Sequence, residues 1–378
     1  MGERVLITGG AGFVGSHLAD ALAQADHEVM LFDNLEPQVH GDGRTRPAYL
    51  DPNHRLEIGD VRDPDALGPL VRQADVVFHL AAMVGVGQSM YQVRRYTDVN
   101  AMGMASLLEV LAANRLRGRV RKLLVASSMS IYGEGAYTCE SCGNVAPRLR
   151  PVEQLKAAEW EVRCPRCGSA LQPTATGEDK PLYPTSIYAI TKRDHEEMAI
   201  AFGQAYELPA VALRFFNIYG SRQALTNPYT GVAAIFSARM LARQAPVVYE
   251  DGHQQRDFVH VSDVVRACML AMANQAADYQ VLNVGTGRPI SVLRVGELLA
   301  RELGWSGGFD VVRRFRAGDI RHCFADTTLI RSLLGYEPKY RFEDGVQELV
   351  TWVSQQDGLS SAGFGDPERH LADYGLVR

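Results

Sequence analysis

The chain has 378 residues, of which 46% are hydrophobic and 22% charged, an ordinary composition for a globular protein. This length suits one large unit or two domains. The net charge of -5 excludes a general basic surface for nucleic acid. No stretch is long and apolar enough to span a membrane, and the start carries no signal-peptide pattern. The sequence therefore predicts a cytoplasmic protein with neither a nucleic-acid nor a membrane partner.

Short apolar runs alternate with helical patterns through residues 1–217. The runs are RVLITGG, EVMLFDN, LEIGD, DVVFHLAA, KLLVASS and VALRFFN. Continuous apolar runs separated by helices are typical of a parallel sheet covered on both faces, so the predicted fold class is α/β, a Rossmann-type doubly wound parallel sheet. The pattern of residues 218–354 predicts that they form mainly a smaller α/β lobe over the carboxyl end of the sheet. Residues 355–378 predict a polar tail that is loosely docked.

A glycine-rich turn, TGGAGFVG, follows the first apolar run and opens a helix. Gly9 and Gly12 allow a tight turn and a close approach to a pyrophosphate, which the free N–H groups at the helix start would bind. Asp33 ends the next run, where it can accept hydrogen bonds from the adenosine ribose hydroxyls. Because a carboxylate at this position would repel a 2′-phosphate, the pattern predicts NAD rather than NADP as the cofactor.

Further cofactor contacts are predicted at the start of the first helix and beyond the carboxyl ends of later strands. They are Phe13, Val14, Asn34, Asp60, Val61, Leu80, Ala81 and Ala82. The small residues after the fourth strand would let a dinucleotide lie across the sheet edge. We interpret His79 as a core histidine and Asn100 as a structural residue.

Tyr188 and Lys192 are four residues apart in a helical pattern and so share one helix face. An ammonium beside a phenol favours the phenolate, which a general base near neutral pH requires. Both residues are also expected to contact the cofactor, Lys192 through the nicotinamide ribose. Ser127 and Ser128 end the fifth strand, where a hydroxyl can hydrogen-bond the reacting oxygen.

The order TGGAGFVG, HLAA, SSMSIYG, YAITK and RFFNIYG resembles the extended short-chain dehydrogenase/reductase family, in particular its nucleotide-sugar epimerases and dehydratases. The stretches DGHQQRDFVHVSDVVRA and FRAGDIRHCFADTTLIRSLLGYEP resemble the substrate lobe of that family. The resemblance implies a catalytic triad of Ser128, Tyr188 and Lys192. It also implies contacts with a nucleotide-diphosphate sugar at Asn217, Arg256, Arg316 and Asp319. We also expect a homodimer.

The residues after Ser128 narrow the reaction. Family dehydratases carry an Asp-Glu pair at this point, but this chain has Met129 and Ser130. A 3,5-epimerase of the family would need a cysteine at position 130. What remains is reversible hydride transfer at one sugar carbon, so we predict a 4-epimerase that works through a transient 4-keto sugar.

The apolar loop at residues 83–90 is expected to border the sugar through Val84 and to suit a 6-deoxy hexose. GVGQSMY, SMSIYGEG and FNIYGSRQALTNPYTG resemble enzymes grouped as dTDP-L-rhamnose 4-epimerases, which implies dTDP-L-rhamnose and dTDP-6-deoxy-L-talose as the pair. The small Cys323 would also admit a larger group on the sugar, so UDP-glucose and UDP-N-acetylglucosamine stay open. Two further alternatives are an NAD(H)-consuming reductase or dehydrogenase and a non-enzymatic NAD sensor.

Residues 137–176 are predicted to be a zinc-ribbon-like insert. Two CxxCG knuckles supply Cys139, Cys142, Cys164 and Cys167, and the glycine after each knuckle tolerates a left-handed turn. Four thiolates with this spacing predict a structural zinc site. Free thiols or two reducible disulfides are the alternatives. Because family members have a much shorter connection between Ser128 and Tyr188, the insert is expected at the rim of the active site.

Overall fold

The computed structural model describes residues 2–115, 118–224, 231–356 and 367–378. The strands are β1 Arg4–Thr8, β2 Glu28–Asp33, β3 Arg55–Ile58, β4 Val76–His79, β5 Lys122–Ser128, β6 Ala136–Cys139, β7 Gly143–Val145, β8 Gln172–Thr174, β9 Ala210–Phe215, β10 Asn217–Tyr219, β11 Val247–Val248, β12 Gln255–His260, β13 Val281–Val284, β14 Pro289–Ser291, β15 Asp310–Val311 and β16 His322–Cys323. Part of the stretch FNIYGSRQALTNPYTG and part of the predicted tail, residues 225–230 and 357–366, lie outside the described residues.

The α-helices are α1 Phe13–Gln24, α2 Pro37–His40, α3 Pro64–Val71, α4 Val86–Ser89, α5 Val93–Tyr96, α6 Gly103–Ala113, α7 Val152–Lys156, α8 Ile187–Tyr206, α9 Val232–Leu241, α10 Val261–Ala273, α11 Val292–Leu303, α12 Thr328–Leu334, α13 Phe342–Ser354 and α14 Pro367–Asp373. A π-helical turn covers Thr97–Met102, and 3₁₀ turns cover Met129–Tyr132 and Gln275–Ala277. Within the described ranges, no helix has the length and apolar character needed to cross a membrane.

A seven-stranded parallel sheet forms the centre of the molecule, in the order β3-β2-β1-β4-β5-β9-β13. Alternate residues of its strands enter two separate cores, since Val5 and Ile7 pack on one face and Leu6 on the other. Helices α1 and α10 cover the first face, and α3, α6 and α8 cover the second. This arrangement confirms the predicted Rossmann-type sheet, with its switch point between β1 and β4.

The second lobe has a core of its own, in which α9, α11 and α13 pack together against β12. The sequence predicts that the sheet domain ends at residue 217, but a later segment of the chain also belongs to the sheet. After β12 the chain returns to the large sheet through α10, and β13 pairs in parallel with β9. Two parallel neighbours need a crossover connection, and here the crossover contains part of the lobe. A four-residue apolar run does not reveal which sheet it joins, so the sequence missed this return.

The end of the chain differs from the loosely docked tail that the sequence predicts. The backbones of Phe315 and Arg378 exchange hydrogen bonds of 2.9 and 3.0 Å, and the Ala317 N–H donates to the Leu376 carbonyl at 2.8 Å. Tyr374 stacks on Tyr91, with ring centroids 4.6 Å apart. Backbone pairing with a distant segment has no local sequence signature, which explains the difference.

The cysteine insert forms a three-stranded antiparallel sheet of β7, β6 and β8. Its buried core contains only six residues, two of them cysteines: Tyr137, Cys139, Val145, Val162, Cys164 and Leu171. A core of this size is too small to stabilise a folded unit alone, so such units need a metal, a disulfide or extensive contacts with a neighbour.

Candidate active site

The glycine turn connects β1 to α1 at the switch point of the sheet. Gly9 has a φ of +69°, and a Cβ atom there would lie 2.7 Å from the Ala81 backbone nitrogen. Gly12 is the N-cap of α1 and supplies no side-chain cap, so that end of the helix is open to an external acceptor. The turn therefore has the backbone shape that a pyrophosphate requires.

Asp33 ends β2 beside this turn. Its carboxylate accepts hydrogen bonds from the N–H groups of Ala11 at 3.0 Å and Leu35 at 2.9 Å. Burial raises the pKa of Asp33, and the nearby His40 and these backbone donors oppose that rise. The carboxylate thus shapes the glycine turn at the edge where a ribose would lie, a structural task that the sequence prediction did not include.

The other predicted cofactor residues also lie along the carboxyl edge of the sheet. Ala81 and Ala82 follow β4, and the Leu80 N–H donates to the Thr8 carbonyl at 3.0 Å, beside the glycine turn. Asn34 donates to Asp60 at 3.3 Å. Phe13 and Val14 begin α1, and Val61 is buried in the core next to α3. These predicted cofactor residues therefore lie near the carboxyl ends of neighbouring strands, whereas the other two, Tyr188 and Lys192, lie on α8.

The two serines at the end of β5 make different contacts, and only Ser128 was predicted to be catalytic. The Ser127 hydroxyl donates to the buried Glu196 carboxylate at 2.8 Å. The Ser128 oxygen accepts from the Ser130 N–H at 3.2 Å and from the Ser130 hydroxyl at 2.9 Å, and Tyr188 lies beside it on α8. Because its acceptor side is occupied by Ser130, Ser128 has its own O–H proton available for an oxygen in front of it.

Helix α8 presents Tyr188 from its first turn. Ser186 caps the helix by accepting a hydrogen bond from the Ala189 N–H at 3.1 Å, which fixes where the helix begins. Burial raises the pKa of Tyr188, and the nearby Ser128 hydroxyl opposes that rise in part. Tyr188 and Ser128 therefore form a pair that can exchange a proton with a hydroxyl placed between the glycine turn and α8.

Lys192 lies one turn further along α8 and is buried. Burial lowers its pKa to about 7. Its ammonium lies 3.3 Å from His195 Nδ1, and His195 Nε2 lies 3.0 Å from the Asn100 carbonyl oxygen. A carbonyl oxygen only accepts, so Nε2 carries the ring proton and Nδ1 accepts from Lys192.

The sequence prediction missed His195, although its position three residues after Lys192 places it on the same helix face. Burial and the nearby Lys192 hold the pKa of His195 well below its usual value, and the same causes lower that of His79 to about 3. The two rings lie 5.1 Å apart, and the Thr8 hydroxyl lies 2.8 Å from His79 Nδ1. Lys192 therefore lies among neutral imidazoles, and His195 Nδ1 holds its position while burial favours its neutral form.

Asn100 has the structural role that the sequence predicts. Its side-chain oxygen accepts from the Met83 N–H at 2.7 Å, and its amide donates to the Met83 carbonyl at 3.1 Å and to the Thr191 hydroxyl at 3.0 Å. It thereby fixes the loop after β4 beside α8. Val84 and Val86 of that loop are 50% and 39% exposed, so they offer apolar surface at this edge.

The two predicted diphosphate-binding arginines lie on either side of Asp319. Arg316 donates to the Asp319 carboxylate at 2.7 and 3.0 Å, and an Arg256 nitrogen lies 3.8 Å from it. The Arg256 guanidinium also donates to the carbonyls of Ile320 at 2.7 Å and Arg321 at 2.9 Å. Asn217, beyond β9, has a buried side-chain oxygen without a hydrogen-bond partner among the described residues. This cationic cluster suits an anionic ligand.

The structure brings the four predicted metal ligands of the insert together. The four sulfur atoms all lie within 4.8 Å of one another, and those of Cys139 and Cys167 are 3.5 Å apart. Gly143 and Gly168 have φ angles of +72° and +79°, the left-handed turns expected after each knuckle. Sulfurs about 2.3 Å from a shared tetrahedral zinc would be about 3.8 Å apart, so this cluster fits zinc.

A parallel doubly wound sheet, a glycine turn at its switch point and a Ser-Tyr-Lys constellation on the same edge define a dinucleotide-dependent enzyme of the short-chain dehydrogenase/reductase type. The NAD dependent epimerase/dehydratase family model matches residues 5–154 and 166–285, and the break between the two matches falls inside the cysteine insert. The chain belongs to this family, which confirms the prediction of an NAD-dependent nucleotide-sugar epimerase.

Known relatives match almost the whole chain. A dTDP-L-rhamnose 4-epimerase of Burkholderia thailandensis is 35% identical over 94% of this chain and 96% of its own length. The crystal structure of a UDP-glucose 4-epimerase from Thermotoga maritima with UDP-glucose superposes with a TM-score of 0.73 at 29% identity, covering 93% of this chain and 99% of that one. A UDP-glucose 4-epimerase from Thermus thermophilus in complex with NAD gives a TM-score of 0.71 at 28% identity and the same coverage.

Proposed function

We propose that the protein inverts carbon 4 of a nucleotide-diphosphate sugar through a transient 4-keto sugar, with Ser128, Tyr188 and Lys192 as the catalytic residues. One observation carries this proposal: Ser128 at the end of β5 lies beside Tyr188 of α8, at the sheet edge that holds the glycine turn, with Lys192 buried one helical turn further along α8. Met129 and Ser130 follow Ser128, so the position of the dehydratase acid pair offers no carboxyl group.

In the proposed mechanism Tyr188 accepts the proton of the sugar 4-hydroxyl and later returns it to the same oxygen, while Ser128 donates a hydrogen bond to that oxygen. Bound NAD supplies a hydride acceptor and, in the return step, a hydride donor at carbon 4. The ketone must turn over between the two steps, which requires few strong contacts with the sugar. Because burial raises the pKa of Tyr188, positive charge close to the phenol is needed for it to act as a base.

In our proposal Lys192 supplies positive charge to the phenol and binds the nicotinamide ribose. Burial alone lowers its pKa to about 7, so any anionic or hydroxyl partner that binds beside it will favour its charged form. His195 accepts from the Lys192 ammonium and limits the directions in which it points. Gly9, Gly12, Phe13, Val14, Asp33, Asn34, Asp60, Val61, Leu80, Ala81 and Ala82 are the proposed remaining contacts with NAD.

For the substrate we propose dTDP-L-rhamnose, with dTDP-6-deoxy-L-talose as the product. Val84 and Val86 support a 6-methyl sugar, because a hydroxyl buried against them would lose its water without gaining a partner, at a cost of about 1–3 kcal/mol. The relative from Burkholderia thailandensis carries this activity in its name. The Thermotoga maritima structure contains UDP-glucose, so UDP sugars are the second candidate. Asn217, Arg256, Arg316 and Asp319 would bind the nucleoside diphosphate.

A comparison of three sugars tests the proposed substrate. We expect kcat/KM for dTDP-L-rhamnose to exceed that for UDP-glucose and UDP-N-acetylglucosamine. A preference of about tenfold or more for either UDP sugar, equivalent to about 1.4 kcal/mol, would overturn the choice of substrate and leave the epimerase mechanism in place. Consumption of one NAD⁺ or NADH per sugar would instead favour a dehydrogenase or a reductase.

We further propose that Cys139, Cys142, Cys164 and Cys167 hold one structural zinc ion. The support is the clustering of the four sulfurs around a core of six buried residues. Four protein ligands close a tetrahedral site and leave no position for substrate, so the ion has no role in the chemistry. Metal analysis of freshly purified, unchelated protein should find one zinc per chain, and its absence would contradict the proposal.

A homodimer is the proposed assembly. Val93, Met102 and Ile190 are exposed apolar side chains on α5, the π-helical turn and α8, elements that pack against one another. A shared apolar face of this kind is typical of symmetric dimer interfaces. Ile190→Arg should shift the protein toward the monomer in sedimentation velocity, whereas a wild-type monomer at micromolar concentration would contradict a stable dimer.

A further inference from the structure

The insert is joined to the second lobe by buried ion pairs. Arg150 of the insert donates two hydrogen bonds to the Glu250 carboxylate, at 2.8 and 2.9 Å. Both side chains are almost fully buried, with 1% and 4% of their surface exposed. A paired buried arginine of this kind fixes the separation of the two segments that supply the pair, because breaking it leaves an uncompensated charge.

A second arginine extends this network from the side of the lobe. Arg321 is also buried and donates to Glu161 of the insert at 2.6 and 3.0 Å. It donates to Glu250 at 3.0 Å and to Asp251 at 2.7 and 2.9 Å. His322 Nε2 lies 3.0 Å from the other oxygen of Glu161. The insert therefore holds residues 321–322 through the carboxylate of Glu161, and it holds residue 250 through the guanidinium of Arg150.

The segment held in this way carries Arg316 and Asp319 of the proposed diphosphate site, and its backbone orients Arg256. Arg150 also donates to the Asp319 carbonyl at 3.4 Å, and the Asp319 carboxylate orients Arg316. The carbonyls of Ile320 and Arg321 orient Arg256. The guanidinium of Arg316 also lies 4.9 Å from the ring of Tyr249, the neighbour of Glu250. Both arginines thus depend on backbone that the insert fixes.

We propose that Arg150 and Glu161 are positioning residues for the nucleoside-diphosphate site, so that the cysteine insert controls affinity for the nucleotide sugar without contacting NAD. This inference rests on the proposed function, in which Arg256 and Arg316 bind the diphosphate. None of the hydrogen bonds described for Arg150 and Glu161 reaches the glycine turn or Asp33. Loss of either residue should therefore weaken nucleotide binding and leave cofactor binding unchanged.

The insert provides a matched control two residues from Glu161. Glu159 is 51% exposed and pairs with Arg163 of the insert, whereas Glu161 is 53% exposed and pairs with Arg321 of the lobe. Glu161→Gln and Glu159→Gln remove the same charge from the same segment. Only the first change acts on the lobe, so a general effect on the insert would appear in both variants.

The experiment measures Kd for dTDP and for UDP by calorimetry, together with NAD content, kcat and thermal stability of the whole protein. Glu161→Gln should raise Kd by about three- to tenfold, as expected for a lost charge-assisted hydrogen bond that acts indirectly. Its kcat and NAD content should stay at the wild-type values, and Glu159→Gln should match wild type throughout. Arg150→Met should raise Kd further, and Arg150→Lys, which keeps the charge, should recover part of the loss.

Arg256→Met and Arg316→Met separate the inference from the proposed function. If both bind dTDP and UDP as wild type does, the proposed diphosphate site is wrong and the inference falls with it. If they bind weakly while Glu161→Gln binds as wild type does, the site stands and the inference is overturned. A loss of NAD that parallels the loss of nucleotide binding would also overturn it, because that result indicates general destabilisation.

Discussion

The proposed cofactor edge and the proposed nucleotide-sugar edge of this protein are built in different ways. At the cofactor edge the chain uses backbone, glycines and one carboxylate, and Asp33 contacts Ala11 at a sequence separation of 22. At the sugar edge it uses long side chains in ion pairs, and Arg150 meets Glu250 and Arg321 meets Glu161 at separations of 100 and 160. The first edge is built from the ends of neighbouring strands of one sheet, whereas the second joins the insert to the second lobe.

This difference suggests that the two edges tolerate change differently. Backbone N–H groups at a glycine turn cannot be exchanged for other chemistry, so the cofactor edge suits an unvarying ligand. Side-chain pairs can be rearranged or extended by an inserted segment, so the sugar edge can adapt to different substrates. The cysteine insert enters the protein on this adaptable side. The following predictions test whether the two edges are as separate as the contacts indicate.

The largest effect is expected for Tyr188→Phe, which removes the proton acceptor between the two edges. Loss of a general base costs about 10²- to 10⁴-fold in rate. We expect kcat to fall within that range while NAD content and Kd for dTDP stay near wild type, because the phenyl ring keeps the packing. A kcat for Tyr188→Phe close to that of wild type would contradict the proposed mechanism.

At the cofactor edge, Gly9→Ala should abolish NAD retention. The added Cβ would lie 2.7 Å from the Ala81 nitrogen, in a backbone with a φ of +69°. Gly304→Ala is the control, because Gly304 lies in the left-handed region with a φ of +61° and a ψ of +32° but has no atom within 4 Å of an added Cβ. The control should lose only about 1–2 kcal/mol of folding stability, the cost of adding a Cβ atom to left-handed backbone. Equal losses of NAD in the two variants would show that strain, rather than the close approach to β4, explains the effect.

Lys192 should make the stability of NAD-free protein depend on pH. Its pKa is about 7 when folded, compared with about 10.4 when unfolded, so the unfolded chain holds more protons between these values. The free energy of unfolding should therefore rise with pH from about 7 to 10, by at most about 1.4 kcal/mol per pH unit. Lys192→Met should flatten this rise and stabilise the protein near pH 7, and the exposed Lys156→Met should not. If the free energy of unfolding changed with pH in the same way for Lys192→Met and wild type, the lowered pKa of the buried Lys192 would be contradicted.

The smallest effect concerns the insert. Cys142→Ser should remove the proposed zinc and raise Kd for dTDP by a few-fold, since the insert then holds Arg150 and Glu161 less firmly. NAD content should not change. Cys268→Ser is the control for the loss of a thiol, because Cys268 is buried away from the insert. If removing the metal lowers NAD content as much as nucleotide affinity, the two edges are not separate.

The same contrast explains how much the sequence could predict. The parallel sheet, the glycine turn, Asp33 and the Tyr188–Lys192 pair all have local signatures, and the structure places them as predicted. The family resemblance selected Ser128 rather than Ser127, but the residue pattern alone does not show that Ser127 pairs with the distant Glu196. The pairing of Arg150 with Glu250, the return of β13 to the sheet and the docking of the chain end have no local pattern. Long-range pairing is decided by tertiary packing, so these features became visible only in the fold.

The central claim is tested most directly by following carbon 4 and the cofactor in one reaction. The protein, with only the NAD it retains after purification, is incubated with dTDP-L-rhamnose and the mixture is followed by proton NMR. The account predicts inversion at carbon 4 through many turnovers, with total NADH unchanged at the end. Accumulation of a 4-keto sugar with one NADH per sugar, or no inversion with any of the three sugars, would contradict it.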